Sequence, residues 1–428
     1  MAHAIHARLD ARFGVDRPLA ADDARSQASD ARLDDILGDI LGDIQISVHE
    51  ELSAVEQDWR DFERRADGTV FQSFDWLATW QRHIGTLTGV RPAIVVGRDA
   101  SGILFMLPLA TRAVGFAREL TWLGSDLSDY NAPLLAPGFS KRFDAAGFAA
   151  LWAGITDCLQ GNARHRYDVV NLTKMPAVVG GQPNPLLHLG LTVNPSGAYL
   201  THLTGDWETF YAAKRSSTTR RRDRTKRKRL SESGEVRLVN PESAAETLSA
   251  LDILMTQKAR LFSHMGVGNL FARPGHAEFY RALASEPATR PLVHVSRLDV
   301  GATAAAVNLG LTWRDCYYHL LASYDDGELS RFGPGAAHLH DLLHLAIDRG
   351  FKVFDFTIGD ERYKRDWCDT EIELHDYIAA ATWRGALIAM PRLAGQRLKR
   401  WIKQTPLLWA IFSSARAFIG SLKQRLRG

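Results

Sequence analysis

Residue types able to do chemistry are densest between Trp313 and Asp369. His319 lies in WRDCYYHLLASYD (313–325). An imidazole there could serve as a general base near neutral pH or sit satisfied in a core. Asp355 alternates with Phe354 and Phe356 in FKVFDF (351–356), so in a strand its carboxylate points away from those rings. It could be a base or hold another group. Gly333 and Gly335 flank Pro334 just before a stretch with Leu339, Leu342, Leu343 and Ile347 at helical spacing, closed by Gly350. A glycine loop opening a helix brings backbone N–H groups close to a phosphate, and the helix N-terminus favours an anion. The same residues also make an ordinary turn, and the spacing is neither that of a P-loop nor that of a dinucleotide site. His340 and His344 are four apart on that helix, after His338, but no carboxylate is arranged with them as in H-E-x-x-H, so no metal is expected. Cys158, Cys316 and Cys368 form no CxxC pair and no thiol–His–acid pattern. That argues against a disulfide scaffold, a zinc knuckle, an iron–sulfur site and a cysteine nucleophile.

These residues need a frame of strand, glycine loop, helix and strand. The chain has 428 residues, 46% apolar and 24% charged, which suits two or three soluble domains and excludes disorder for its bulk. RPAIVVGRDASGILFMLPLATRA (91–113) reads as two strands joined by a turn at 99–102. RPLVHVSRLDVGATAAAVNLGLTW (290–313) reads the same way. At an offset of 290 − 91 = 199, Arg91, Pro92, Val96, Arg98 and Gly102 fall on Arg290, Pro291, Val295, Arg297 and Gly301. Helices are expected over 71–85, 148–159 and 248–262, a strand over 167–173, and a Pro/Gly-rich break over 175–190. The expected fold class is α+β: a tandem repeat of two units, each a mixed central sheet flanked by helices.

The glycine loop, the amphipathic helix, the Gly-x-x-x-Phe-Asp-Phe pattern and GDERYKRDW (359–367) together resemble the CelD-like or BioF-like acetyltransferases of the GNAT superfamily, two-domain relatives of the Fem peptidyltransferases. The resemblance covers about 200–380, and more loosely FQSFDWLATW (71–80) and GSDLSDYNAPLL (124–135). It implies acyl transfer from acyl-CoA, as co-substrate, to an amine or hydroxyl by direct attack, with no metal. In this family's loop, Gly333 and Gly335 fill the two glycine places, with Arg331 and Ala336 beside them as donor contacts. Ser330, rather than an arginine or glutamine, then occupies the basic place. Lys364, preceded by Tyr363, matches the aromatic–lysine pair of the Fem-like active centre, where it would stabilise the oxyanion. Asp355 and His319 complete the catalytic candidates. Trp367, Tyr318 and Asp360 are the acceptor-side candidates, and Asp360 and Glu361 stand close enough to tune Lys364. The family's link to surface polysaccharides implies a small-molecule, glycan or lipid-linked acceptor. The alternatives are aminoacyl-tRNA as donor and a catalytically silent, membrane- or polymer-binding scaffold.

The formal net charge of +3 hides strong segregation. Residues 1–50 hold ten acids and five arginines, and 1–45 read as a leader with one short helix. Residues 46–200 and 201–383 then form the two units. Segment 214–229 holds ten Lys/Arg and one Asp; it suits donor phosphates, tRNA or an anionic surface, or a solvated connector. Residues 384–428 interleave Trp, Leu and Ile with Arg and Lys, and no acid follows Asp376. They read as basic amphipathic helices, broken at Pro406, that contact an anionic membrane or dock on the protein. With no apolar run of roughly 18 residues and no signal segment, the expected location is cytoplasmic, peripheral on the inner face of the membrane.

Overall fold

The computed structural model describes residues 43–404; the leader helix and the break at Pro406 lie outside these residues. Two sheets are built from corresponding strands. The first contains β1 (Gln45–His49), β2 (Arg91–Asp99), β3 (Gly102–Val114), β4 (Ala117–Trp122), β5 (Val169–Pro176) and the two-residue β6 (Thr192–Val193). A short strand, Leu134–Leu135, pairs with β3. The second contains β7 (Ala198–His202), β8 (Val236–Val239), β9 (Val293–Val300), β10 (Thr303–Trp313), β11 (Cys316–Tyr324), β12 (Val353–Ile358) and β13 (Thr370–Ile372). The last strand, β14 (Leu374–Ala380), lies in the first sheet between β5 and β6.

Both repeated strand–turn–strand segments form antiparallel hairpins, β2–β3 and β9–β10. Ala93–Val96 and Leu104–Leu107 are buried throughout rather than in alternation, so both faces of the sheet are covered. In each half a parallel pair follows: β4 with β5, and β11 with β12. The crossovers are α1 (Ala145–Gly161) and, in the second half, a helix over Pro334–Asp348. The fold is therefore α+β with two mixed sheets, as the repeated grammar predicts.

The boundary near 200 and the end of the second unit at 383 do not separate the hydrogen-bonded sheets. Strand β7 pairs with β12 and β13 of the second sheet, and β14 pairs with β5 and β6 of the first. Strand β7 straddles the boundary at 200 and joins the second sheet, and the second half donates its last strand, β14, to the first. A linear reading gives a strand to its neighbours in sequence, whereas the open edges of β5 and β12 take it from across the molecule. The core is continuous as well: Trp76 meets Phe279 edge-on at 5.0 Å, and Phe71 meets Tyr318 at 5.8 Å.

Candidate active site

The parallel register of β11 and β12 covers only Cys316–Tyr318 against Val353–Asp355. Beyond it β12 continues along β7 while β11 continues along β10, so the two strands part at Tyr318 and Asp355. A wedge of this kind leaves backbone donors and acceptors facing a ligand instead of each other. The helix after β11, α5 (Pro334–Asp348), packs against α2 (Trp207–Lys214) and α3 (Ser217–Ser231), while α4 (Ala244–His264) packs on the strands of the same sheet.

Gly333 opens α5 at φ 67°, ψ 56°, a left-handed conformation that glycine adopts without strain, and no side chain caps the helix. The basic segment folds as α3 and crosses this terminus. Lys226 Nζ lies 3.6 Å from where a Cβ on Gly333 would stand. Arg227 pins α3 to α5 through Asp341, at 2.8 and 2.9 Å. Burial pushes the Asp341 carboxyl up, but His340 and Arg227 together hold it below the ordinary range. A cavity of about 130 Å³ lies between the two helices, lined among others by Arg215, Arg224, Lys226, Gly333, Ala336 and Trp367. The positive charge beside the glycine loop thus comes from α3. Arg331 is exposed, lies over the Phe332 ring at 4.8 Å and does not line the cavity. Gly335 faces Tyr324 rather than the cavity.

Asp355 lies on the opposite side of β12 from Phe354 and Phe356. Its Oδ1 accepts from Tyr130 Oη and from the Thr357 backbone N–H, both at 2.7 Å. Burial dominates and pushes its carboxyl up to about 7, against the pull of the Tyr130 and Thr357 hydrogen bonds. Tyr130 belongs to a loop of the first half, 225 residues away in sequence. Its neighbour Asp129 is also raised by burial, opposed by Lys174, the Thr357 hydroxyl and Lys364. Lys258, on α4, is pushed down by burial and partly restored by Glu361. Three carboxylates (Asp129, Asp355, Glu361) and three lysines (Lys174, Lys258, Lys364) therefore share one electrostatic cluster between the halves.

Lys364, a member of this cluster, is buried. It donates to the carbonyls of Ile358 at 2.8 Å and Thr357 at 3.3 Å, and pairs with Glu361 at 3.0 Å. An ammonium has three N–H bonds, and all three are engaged. They anchor the end of β12, where Thr357 takes a left-handed φ of 59°. Tyr363 is 39% exposed, with its ring edge-on to Phe356 at 6.5 Å.

His319 is not brought to Asp355. It lies on the other face of the sheet, against Phe354 and Phe356. The Asn308 amide, turned with its nitrogen toward the ring, donates to Nδ1 at 2.7 Å. Burial, with Lys364, His338 and Lys258 as lesser contributors, lowers this imidazole to about 3. It is neutral at neutral pH and does not titrate there, contrary to the expectation for a free histidine. Tyr318 packs on Phe71, and Trp367 stacks near Phe210 and Tyr211 beneath the Arg215 guanidinium. Asp360 accepts from Gly197 N–H at 3.3 Å and Tyr199 Oη at 3.4 Å, tying β7 to the turn after β12. His340 and His344 pack against Trp207.

Asp129, Tyr130, Lys174, Lys258 and Thr357 stand in no catalytic motif of the sequence. Nothing in GSDLSDYNAPLL says which side chain turns toward a strand more than two hundred residues downstream.

Residues 217–365 match the family described as an acetyltransferase (GNAT) domain. No curated protein sequence matches the chain. Among solved structures, FemX superposes over 78% of this chain and 97% of its own, with a TM-score of 0.53 at 11% identity. A conserved protein of unknown function from Bacteroides thetaiotaomicron VPI-5482 covers 78% and 99%, at 0.48 and 13%. The C-terminal domain of a putative lysylphosphatidylglycerol synthetase from Agrobacterium fabrum covers 79% and 96%, at 0.47 and 10%. The family match runs from α3 through Gly333 and Asp355 to Lys364, and over these residues the chain carries a GNAT-type fold.

Proposed function

We propose that the chain transfers an acyl group from acyl-CoA to an amine or hydroxyl of a small-molecule, glycan or lipid-linked acceptor such as an envelope or exopolysaccharide precursor. The observation that carries this reading is the parting of β11 and β12 beside an uncapped glycine-led helix under a basic cover. The donor pyrophosphate sits at the Gly333 end of α5, against Lys226 and Arg224, where backbone N–H groups and cations add. The acyl arm runs into the wedge. The acceptor comes from the side of the Asp129–Tyr130 loop, in the cleft between the halves.

Asp355, with a pKa about 7, is a carboxylate suited to take the nucleophile's proton at neutral pH, directly or through Tyr130 and Asp129. As the nucleophile attacks the thioester carbonyl, negative charge grows on that oxygen; the lysine cluster supplies positive potential there, and the C–S bond then breaks. Lys364 acts first as a positioning residue for β12, and it can turn to the oxyanion only by exchanging its Glu361 partner. The CelD-like assignment belongs to this reading, as does a cytoplasmic location, where acyl-CoA is made.

One observation favours a second donor. Helix α3 turns Arg221, Arg222, Lys228 and Arg229 to solvent, beyond the cavity. Aminoacyl-tRNA would use such charges, with steep salt dependence. Melting curves with CoA, acetyl-CoA and longer acyl-CoAs separate the two. A ligand at about 100 times its Kd adds roughly 2.7 kcal/mol to the folded state. A shift that grows with acyl length is the expected result. No shift with any CoA, together with binding of charged tRNA, would replace this reading with the second.

A further inference from the structure

The helix after β14, α6 (Trp383–Gln404), lies on the first sheet along one stripe. Gly385 fits against the Asp168 carbonyl so closely that a Cβ would stand 1.7 Å from the oxygen. Ala389 is buried, Arg392 bonds Glu119, and Gln396 donates to Asp376 Oδ2 at 2.7 Å. Positions 385, 389, 392 and 396 follow the i, i+4, i+7, i+11 spacing of one helix face.

At about 100° per residue, the opposite face carries 383, 387, 390, 394 and 398. A surface helix normally places polar side chains there. Here the residues are Trp383, Leu387, Met390, Ala394 and Leu398, and the four large ones are 66, 57, 70 and 55% exposed. Arg384 and Arg397 are exposed and flank the stripe on its two sides. The Arg384 guanidinium folds over the Trp383 ring at 5.6 Å. Beyond Asp376 the chain has ten Lys/Arg and no acid, and the 24 residues after Gln404 remain basic and apolar together.

We infer that α6 is a membrane-surface helix: its outward stripe enters the interface of an anionic bilayer while the first sheet holds the helix flat against the protein. An apolar stripe edged by arginines, on a helix that itself carries no acid, matches acyl chains flanked by anionic headgroups. Charge complementarity selects lipid over a second copy of the chain, since two such basic stripes facing each other would repel. Among the described residues no helix is long and apolar enough to cross a membrane, so the contact is parallel to the surface. The inference stands apart from the choice of acyl donor.

The test uses the full chain with vesicles of phosphatidylcholine alone and of phosphatidylcholine with phosphatidylglycerol, scored by co-sedimentation. The protein should pellet with the anionic vesicles and much less with the neutral ones. The double variant L387D/M390D changes two exposed positions, so it should melt like the parent while its partition falls by about tenfold or more. R384Q/R397Q should lower binding more weakly and flatten its salt dependence. Failure of the parent to bind anionic vesicles overturns the inference. Equal binding to neutral vesicles overturns its anionic part. Unchanged binding of L387D/M390D moves the contact to the residues after Gln404. If instead the parent sediments as a dimer and this variant as a monomer with vesicle binding intact, the stripe is an interface between copies.

Discussion

The two halves use one frame and end it differently. In the first, β4 and β5 pair over Glu119–Thr121 and Val169–Asn171, as β11 and β12 do in the second. Each incoming strand then reaches a non-glycine residue at φ 59°, Lys174 in one half and Thr357 in the other. Around the first wedge the chain satisfies itself. Asp144 caps α1 by accepting from Gly147 N–H at 2.8 Å, and Lys174 donates to the carbonyls of Ser125 and Ser128. Glu119, fully buried, holds Arg112, Asn171 and Arg392 of α6. Around the second wedge the helix has no side-chain cap, a cavity adjoins its terminus, and a buried carboxylate sits near neutrality. On the function proposed above, the working half is marked by what it leaves open, at a cost in local stability.

Three substitutions test whether the two wedges differ in function as they do in structure. The largest effect is expected at Asp355→Asn, which keeps an acceptor for Tyr130 and Thr357 but removes the base. Turnover should fall by about 10²–10⁴-fold, and in the parent kcat/KM should fall as pH drops through about 7. Stability should move the other way. A carboxyl whose folded pKa is raised contributes its stability in full below the ordinary carboxylate range and loses it as pH rises through about 7. At pH 8 the amide should therefore be the more stable form, by on the order of 4 kcal/mol, the cost of ionising a carboxyl raised from its ordinary value to about 7. An Asp355→Asn protein that is fully active would remove Asp355 as the base. Next, Glu119→Gln should destabilise by about 1–3 kcal/mol, because it breaks a buried ion pair with half-exposed arginines. Activity per folded molecule should stay within about twofold. Lost activity with an unchanged melting curve would place chemistry in the first wedge as well. The smallest effect is at Gly333→Ala. Its φ of 67° strains any other residue by about 1–2 kcal/mol, so KM for the donor should rise about tenfold with kcat nearly unchanged. An unaltered KM would move the donor away from α5.

What could be read in the residues was local. The hairpins at 91–113 and 290–313 show as apolar runs around glycine or aspartate turns, and the 199-residue offset exposes the repeat. Alternation placed Asp355 opposite its flanking phenylalanines, and Gly333 announced a helix start. The rest depends on contacts across long separations. The partner of Asp355, Tyr130, lies 225 residues away in an irregular loop whose side chains follow no period. The charge beside Gly333 comes from α3, not from Arg331, because helix docking rather than loop spacing brings it there. His319 has the right type and strand but the wrong face, and burial removes its titration. The exchange of β7 and β14 leaves no trace in composition, since a strand reads the same whichever edge receives it.

That exchange has a consequence for synthesis. The first sheet cannot close until Leu374–Ala380 has left the ribosome, about two hundred residues after β5. Throughout that interval β5 is an open edge, a template for a β-strand from any neighbouring chain. The protein is thus born with its first half unfinished, and a gene cut near residue 200 would leave the first fragment without β14 and sever β7 within its own length.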